Sequence, residues 1–419
     1  MSVVGAWRLA PPRFWLEALL WAVLLGGWLW LDVRVPLLRL GETSGDFRAY
    51  YEAARAVLDG KSPYTEAGFI YPPLLVFLLL PLAALPLDLA RLLWLVLSEA
   101  CLVASFWLCY RVAGRGPLAL AAVGSVWLLA GTVPENLVLG QLNPVLVLLL
   151  AAGAFTLERR PRAAGFLFGV ATALKVWPGA LLLSLALLRR WRAFAAGVAV
   201  TLVLIAVPMA LTMWRIDGSF QFGERLTRVG SAAALNFSLP ALALRLADPP
   251  QSGEMPASWR EGNTPTRFEP FARHGWLALF IGGSVLLAGL AATAWLAYQR
   301  PGNGYSSDIL LLGAMTAVAL LASPIAWYHY QVCQIFAASL VVASCVRQRR
   351  LAAAAAVFAL LLIMTRTHSW GFGAYVQRWG WTAEQPLALW LSTSLVPVAG
   401  AIWAVVLFVE VARLRSRSA

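Results

Sequence analysis

Long apolar runs alternate along this chain with short stretches in which arginine, proline and glycine collect. Runs at 14–31, 89–110, 117–133, 142–157, 163–175, 177–188, 193–213, 275–298, 308–324, 329–346, 350–365 and 386–410 predict twelve membrane-spanning helices. None alternates with a strand period, which excludes a membrane barrel, the other way to satisfy a backbone in lipid. The expected fold class is an all-α polytopic membrane protein. The run at 14–31, preceded by Arg8 and Arg13, is too long and Trp-rich for a cleaved signal core and reads as a retained anchor. Spans 163–175 and 177–188 are short for a bilayer core of about 30 Å. They meet at Lys175-Val176-Trp177-Pro178, which predicts a cavity sunk into the outer leaflet.

One apolar piece, 71–85, opens with Tyr71-Pro72-Pro73 and has two readings. If it does not cross, the inner short segments hold 17 basic residues, among them Arg111, Arg115, Arg159, Arg160, Arg189, Arg190, Arg347 and Arg349. The short outer segments then hold 3 (Lys175, Arg366 and Arg378). If it crosses, 15 of the 17 move outside. The positive-inside rule selects the first reading, with 71–85 re-entrant or surface-lying and both termini cytoplasmic. Three regions follow: a membrane module at 1–213 including the outer loop 32–88, an outer loop at 214–273, and a second membrane module at 274–419.

Between the first span and that piece, residues 46–58 place Phe47, Tyr50, Tyr51, Ala54, Val57 and Leu58 on one helical face, closed by Gly60 and Pro63. This pattern predicts an interfacial amphipathic helix. By the same topology, most polar clusters of the chain fall on its side of the membrane.

Composition agrees. The sequence is 60% hydrophobic, and its net charge of +13 sits in short loops, as orientation requires, which argues against a nucleic-acid partner. Cys101, Cys109, Cys333 and Cys345 fall inside apolar runs and read as small buried hydrophobes. There is no Walker loop, dinucleotide fingerprint, HExxH or Asp-x-Asp pair, so no cofactor or metal site is expected, and phosphate would be held by side chains.

Each polar candidate carries a functional and a structural reading. Asp46 is a general base for an acceptor hydroxyl, or the N-cap of its helix, which its position favours. Arg48, Tyr50 and Tyr71 accompany it as substrate contacts. Gln141 and Asn143 can bind sugar hydroxyls, although Asn143 before Pro144 also suits a helix start. Lys175 is a point charge for phosphate, or a snorkelling lysine. His329, in Ser323-Pro324-Ile325-Ala326-Trp327-Tyr328-His329-Tyr330, can steady a leaving phosphate or sit in an aromatic belt beside Trp327. Asn236 reads equally as a helix start. Glu99 lies mid-span and reads as a buried structural carboxyl, and Glu135 is a second outer carboxylate.

These pieces, taken in order, resemble glycosyltransferase family 87 of the GT-C membrane superfamily. The resemblance rests on Asp46-Phe47 through Tyr51, Gly60 to Tyr64, Phe69 to Pro73, Gly140 to Asn143, Gly169 to Pro178, Asn236 to Leu239 and Ser323 to His329, over about residues 40 to 335. It implies an inverting, metal-independent transfer of a sugar, mannose in the first reading, from a polyprenyl-phosphate donor to a lipid or glycan acceptor at the outer face. Asp46 would be the base, with Lys175 and His329 facing the donor phosphate. Where the family often shows a second histidine after the first, this chain has Tyr330. Related sequences span mannosyl and arabinofuranosyl transfer. A secondary transporter is the main alternative, but it calls for paired repeats and interrupted helices with polar groups near the midplane, whereas this chain gathers its polar residues at one end of its spans. A lipid-linked glycan ligase or polymerase is another. It would use the arginines of 214–273: Arg215, Arg225, Arg228, Arg245, Arg260, Arg267 and Arg273.

Overall fold

A computed structural model describes residues 12–39, 45–65, 69–215, 236–247, 269–299, 305–366 and 386–417. Among them the chain is helical throughout, apart from one isolated bridge between Asn236 and Trp327. The helices are α1 (Pro12–Trp28), α2 (Val35–Leu38), α3 (Asp46–Leu58), α4 (Leu74–Ala83), α5 (Leu87–Val112), α6 (Pro117–Leu129), α7 (Thr132–Leu139), α8 (Asn143–Thr156) and α9 (Pro161–Leu174). They continue with α10 (Gly179–Leu187), α11 (Trp191–Arg215), α12 (Leu239–Ala247), α13 (Glu269–Gln299), α14 (Tyr305–Ala322), α15 (Ile335–Arg347), α16 (Leu351–Arg366) and α17 (Pro386–Arg417).

Six helical stretches are long and apolar enough to cross a membrane, and a seventh counts if α6 and α7, bent by 50°, form one broken span. Five shorter apolar helices pack among them. The chain is a multi-pass membrane protein. Its exposed leucines, valines and tryptophans on α1, α5, α11 and α13 face where lipid would lie.

Several boundaries differ from the sequence reading. The first span does not stop at residue 31, because a π-helical stretch, Leu29–Arg34, carries it into α2. The expected span 117–133 breaks at Ala130, and the chain resumes as a separate helix, α7, that runs on past its expected end. The expected span 329–346 begins as a 3₁₀ segment, Tyr328–Gln334, before α15. The apolar piece at 71–85 forms only α4, ten residues long, too short to cross at 1.5 Å per residue.

Two close approaches hold the first half together. Gly165 of α9 lies so near α11 that a Cβ there would stand 2.0 Å from the Ala193 carbonyl oxygen, so only glycine permits the packing. Beside this pair, α3 docks on α4: Tyr51 Oη donates to the Leu85 carbonyl at 2.7 Å and Arg55 donates to the Ala83 carbonyl at 3.2 Å. Phe47 stacks on Trp94 of α5, with ring centroids 5.7 Å apart. The amphipathic helix is therefore pinned by its neighbours, and its first residue has a fixed position.

Candidate active site

Helix α3 starts at Asp46, with Gly45 as N-cap and no side-chain capping bond. The capping role that position favoured is thus not the one Asp46 plays. Its half-buried carboxylate instead accepts a short hydrogen bond from the Gln141 amide nitrogen. Gln141 lies just past α7, where the chain turns at Gly140 with φ of +63°. A Cβ on Gly140 would also stand 2.6 Å from Cβ of Phe47, so this turn and the seat of α3 depend on the same glycine.

From Gln141 a buried polar chain runs inward. Tyr50 Oη lies 3.1 Å from the Gln141 carbonyl oxygen, to which it donates, and 2.8 Å from Tyr71 Oη. Tyr71 and Tyr330 both flank the Lys175 ammonium. The Lys175 ammonium sits 3.4 Å above the Tyr330 ring centroid and 5.2 Å from that of Tyr71, and donates to Asn143 Oδ1 at 2.9 Å. Asn143 and Asn136 are joined at 2.9 Å, and both donate to the His329 carbonyl. Asn143 therefore orients a cation and does not cap α8, whose N-cap is Leu142. A buried ammonium is costly unless paired. Here one hydrogen bond and two aromatic faces, each cation–π contact worth about 0.5–2 kcal/mol, offset part of that cost and leave its remaining donors for a ligand.

Burial raises the Asp46 carboxyl above its ordinary value, while the Gln141 hydrogen bond and the Lys175 charge pull it back. Lys175 and Asp46 thus feel one another across the tyrosines, at opposite ends of one polar chain.

Lys175 also lines a cavity of about 520 Å³ between α4, α9, α10, α13 and α14. Its walls are mostly apolar, with Ile70, Trp177, Leu183, Leu286 and Ile325 among them, and Tyr71 and Tyr330 stand at its polar end. The cavity expected from two short helices meeting at Lys175–Pro178 is present. It has the make-up of a site for an amphiphile, an apolar body with one charge at its end.

The other candidates are placed differently. Arg48 is exposed and pairs with Glu52 at 2.5 Å along its own helix, away from the buried chain. The His329 ring is buried between Tyr328 and Tyr330, with centroids at 5.1 and 5.0 Å, and does not line the large cavity. Asn236 braces the 323–327 turn by donating to the Pro324 carbonyl at 2.9 Å and accepting from the Ala326 amide at 2.9 Å, and its bridge to Trp327 fixes that residue's backbone. Glu135 accepts a short hydrogen bond from Tyr328, and Glu99 accepts one from Trp28 at 3.0 Å. Of the arginines of 214–273, Arg225, Arg228, Arg260 and Arg267 lie outside the described residues, as do the side chains of Arg215 and Arg273. Arg245 is buried and donates to the Asn236 carbonyl at 3.0 Å. Sequence reasoning missed the part played by Tyr330 and Asn136. The only signal for the first was an aromatic residue directly after His329.

A multi-helix membrane protein with a largely apolar cavity, a buried cation and a carboxylate on one polar chain has the layout of a membrane-embedded enzyme. The comparisons with known proteins agree. The model of glycosyltransferase family 87 matches residues 69–324, well over half of the chain. The chain belongs to glycosyltransferase family 87.

It is 28% identical over 317 residues to a polyprenol-phosphate-mannose-dependent alpha-(1-2)-phosphatidylinositol mannoside mannosyltransferase of Mycobacterium tuberculosis, covering 68% of this chain and 67% of that one. The Mycolicibacterium smegmatis protein of the same description is 28% identical over 361 residues, 77% of this chain and 74% of that one. A shorter match, 30% over 156 residues, is to the catalytic subunit of GPI alpha-1,4-mannosyltransferase I of Danio rerio, spanning 36% of this chain and 38% of that one. Among solved structures, ArnT from Cupriavidus metallidurans in the apo state aligns over 98% of this chain and 78% of its own, at 17% identity and a TM-score of 0.35. The family match includes Gln141, Asn143 and Lys175, whereas Asp46 and His329 fall outside its interval.

Proposed function

We propose that this membrane glycosyltransferase moves a sugar, with mannose the first candidate, from a polyprenyl-phosphate donor to a lipid or glycan acceptor at the outer face of the membrane. The observation that carries the reading is the placement of Asp46 and Lys175 at opposite ends of the Gln141–Tyr50–Tyr71 chain, with Lys175 also lining the apolar cavity.

In this scheme the donor's prenyl chain lies in the 520 Å³ cavity and its phosphate meets the Lys175 ammonium. The acceptor oxygen attacks the anomeric carbon, the bond from that carbon to the phosphate oxygen breaks, and its electron pair leaves on the lipid phosphate. The acceptor proton passes to Asp46. Attack from the face opposite the leaving group inverts the anomeric centre. Lys175 supplies the cationic stabilisation that the leaving phosphate needs, so the step calls on no metal. Two names among the matched relatives, both polyprenol-phosphate-mannose-dependent, support this choice of donor.

Orientation belongs to the same proposal: twelve crossings, both termini cytoplasmic and the site outside. The decisive experiment incubates purified protein and a membrane-lipid acceptor mixture with polyprenyl-phosphate sugars labelled in the sugar. Release of polyprenyl phosphate with transfer of label is expected, with mannose ahead of arabinofuranose. No release from any of the donors would remove the reading.

A further inference from the structure

A second cavity, of about 260 Å³, lies between α1, α5 and α6, and it shares no lining residue with the cavity around Lys175. Its wall is tryptophan, phenylalanine, leucine and valine, except for two carboxyls, Asp32 and Glu99. Leu25 and Val103, which line it, are 54% and 51% exposed, so it opens on the flank of the helix bundle that faces lipid.

The two carboxyls are not satisfied by the protein. Asp32 is only 6% exposed, yet among the described residues it accepts no hydrogen bond and forms no ion pair. Glu99 takes the Trp28 indole N–H on Oε2 at 3.0 Å, while its Oε1 is buried with no partner among those residues. Arg366 lies within electrostatic reach of Asp32, but its guanidinium is turned to the backbone carbonyls of Leu129 at 2.8 Å and Leu128 at 3.3 Å. Among the described residues no cation is hydrogen-bonded to either acid. Unmatched acceptors in an apolar wall cost free energy that a donor-bearing ligand would relieve.

We infer that this cavity is a binding site for the primary ammonium headgroup of a membrane lipid, of the aminoethyl phospholipid kind, reached sideways from the bilayer. One ammonium supplies the bonded cation that the two acids lack, and its three N–H donors match the open oxygens of Asp32 and Glu99. A quaternary ammonium has the charge but no donor. An anionic headgroup is repelled, which separates this site from one for a lipid phosphate. The surrounding indoles add cation–π faces. This site does not depend on the transferase reading and would persist were the sugar donor of another kind.

Native mass spectrometry of the full chain released from mixed-lipid nanodiscs tests the assignment. Phosphatidylethanolamine should be retained over phosphatidylcholine by about tenfold or more, with binding falling stepwise through the mono- and dimethylated headgroups as donors are lost. Phosphatidylglycerol should show no gain. Glu99→Gln, whose amide carbonyl still accepts the Trp28 N–H, and Asp32→Asn should each bring the preference near one. Soluble ethanolamine should not displace the bound lipid. Equal retention of ethanolamine and choline lipids would overturn the site, as would a flat methylation series or a preference that survives both substitutions. Displacement by soluble ethanolamine would overturn the lipid origin of the ligand. The methylation series on the unmodified protein decides the question even if both variants fail to fold.

Discussion

Gln141 faces Asp46 with its amide nitrogen and Tyr50 with its amide oxygen, so one side chain fixes the orientation of the carboxylate and joins it to the tyrosine chain. An amide N–H donates best to an ionised oxygen. Gln141 therefore favours the form of Asp46 that can take up a proton, against the burial that disfavours it.

Asp46→Asn keeps an oxygen for Gln141 and leaves the helix start unchanged, because Asp46 makes no capping bond. The expected outcome is a well-folded protein that still binds donor lipid, with turnover reduced roughly 10²–10⁴-fold. Transfer assays beside thermal unfolding in detergent check both halves. Activity within a few-fold of wild type would move attention to Glu135.

Acidity should act through the same carboxyl. Since burial raises Asp46 above 3.8, a base at this position is lost as pH falls through the raised value, and kcat/KM should fall with it. Stability runs the other way. The folded state holds this proton more tightly than the unfolded chain, so the contribution is full below 3.8 and is lost as pH rises through the raised value. Asp46→Asn should flatten that part of the stability profile, and denaturation followed at several pH values reads it directly.

Lys175→Met removes the charge but keeps an apolar side chain of similar length. Because the ammonium rests on Tyr330 and Asn143 and lines the cavity, the main expected effect is on the donor. Its KM should rise on the order of tenfold to a hundredfold, the range for one hydrogen bond to a charged group. Unchanged donor kinetics would make Lys175 a structural lysine.

Gly140→Ala tests how the site is held. The backbone there is left-handed, and the new methyl would meet Phe47 at 2.6 Å. A loss of about 1–3 kcal/mol is expected, together with reduced turnover as α3 and Asp46 shift. Full activity at reduced stability would show that α3 tolerates displacement.

At the other end of the bundle, Asp308 of α14 receives Arg190 at 2.6 Å and Arg415 of α17 at 3.0 Å. Asp308→Asn leaves a buried arginine short of its partner. The expected loss is near the lower end of roughly 3–5 kcal/mol, because Arg190 is a third exposed. Thermal unfolding measures it, and donor KM should stay unchanged.

Much of this was legible in the residues. Hydropathy predicts the helices because lipid leaves the backbone few choices. The amphipathic spacing after Asp46 predicts α3 within a residue. Short spans around Lys175 predict a cavity, since helices too short to cross leave a recess. The π-helical extension at Leu29–Arg34, the break at Ala130 and the helicity of α7 were not legible. Each depends on neighbours distant in sequence, and hydropathy is indifferent to such bends. The same limit applies to the site. Residue type marks Asp46 and Lys175, but nothing local says that Gln141, Tyr50 and Tyr71 join them, or that Arg48 turns away to Glu52.

The wall of the large cavity carries almost no polar group beyond the tyrosines and lysine at one end, so the protein has few means of measuring what extends from the other. Recognition on the proposed reading is confined to the head of the donor, while the tail remains lipid among lipids. Such an enzyme would accept prenyl chains of differing length and saturation, and a mixed prenyl pool would serve it as one substrate.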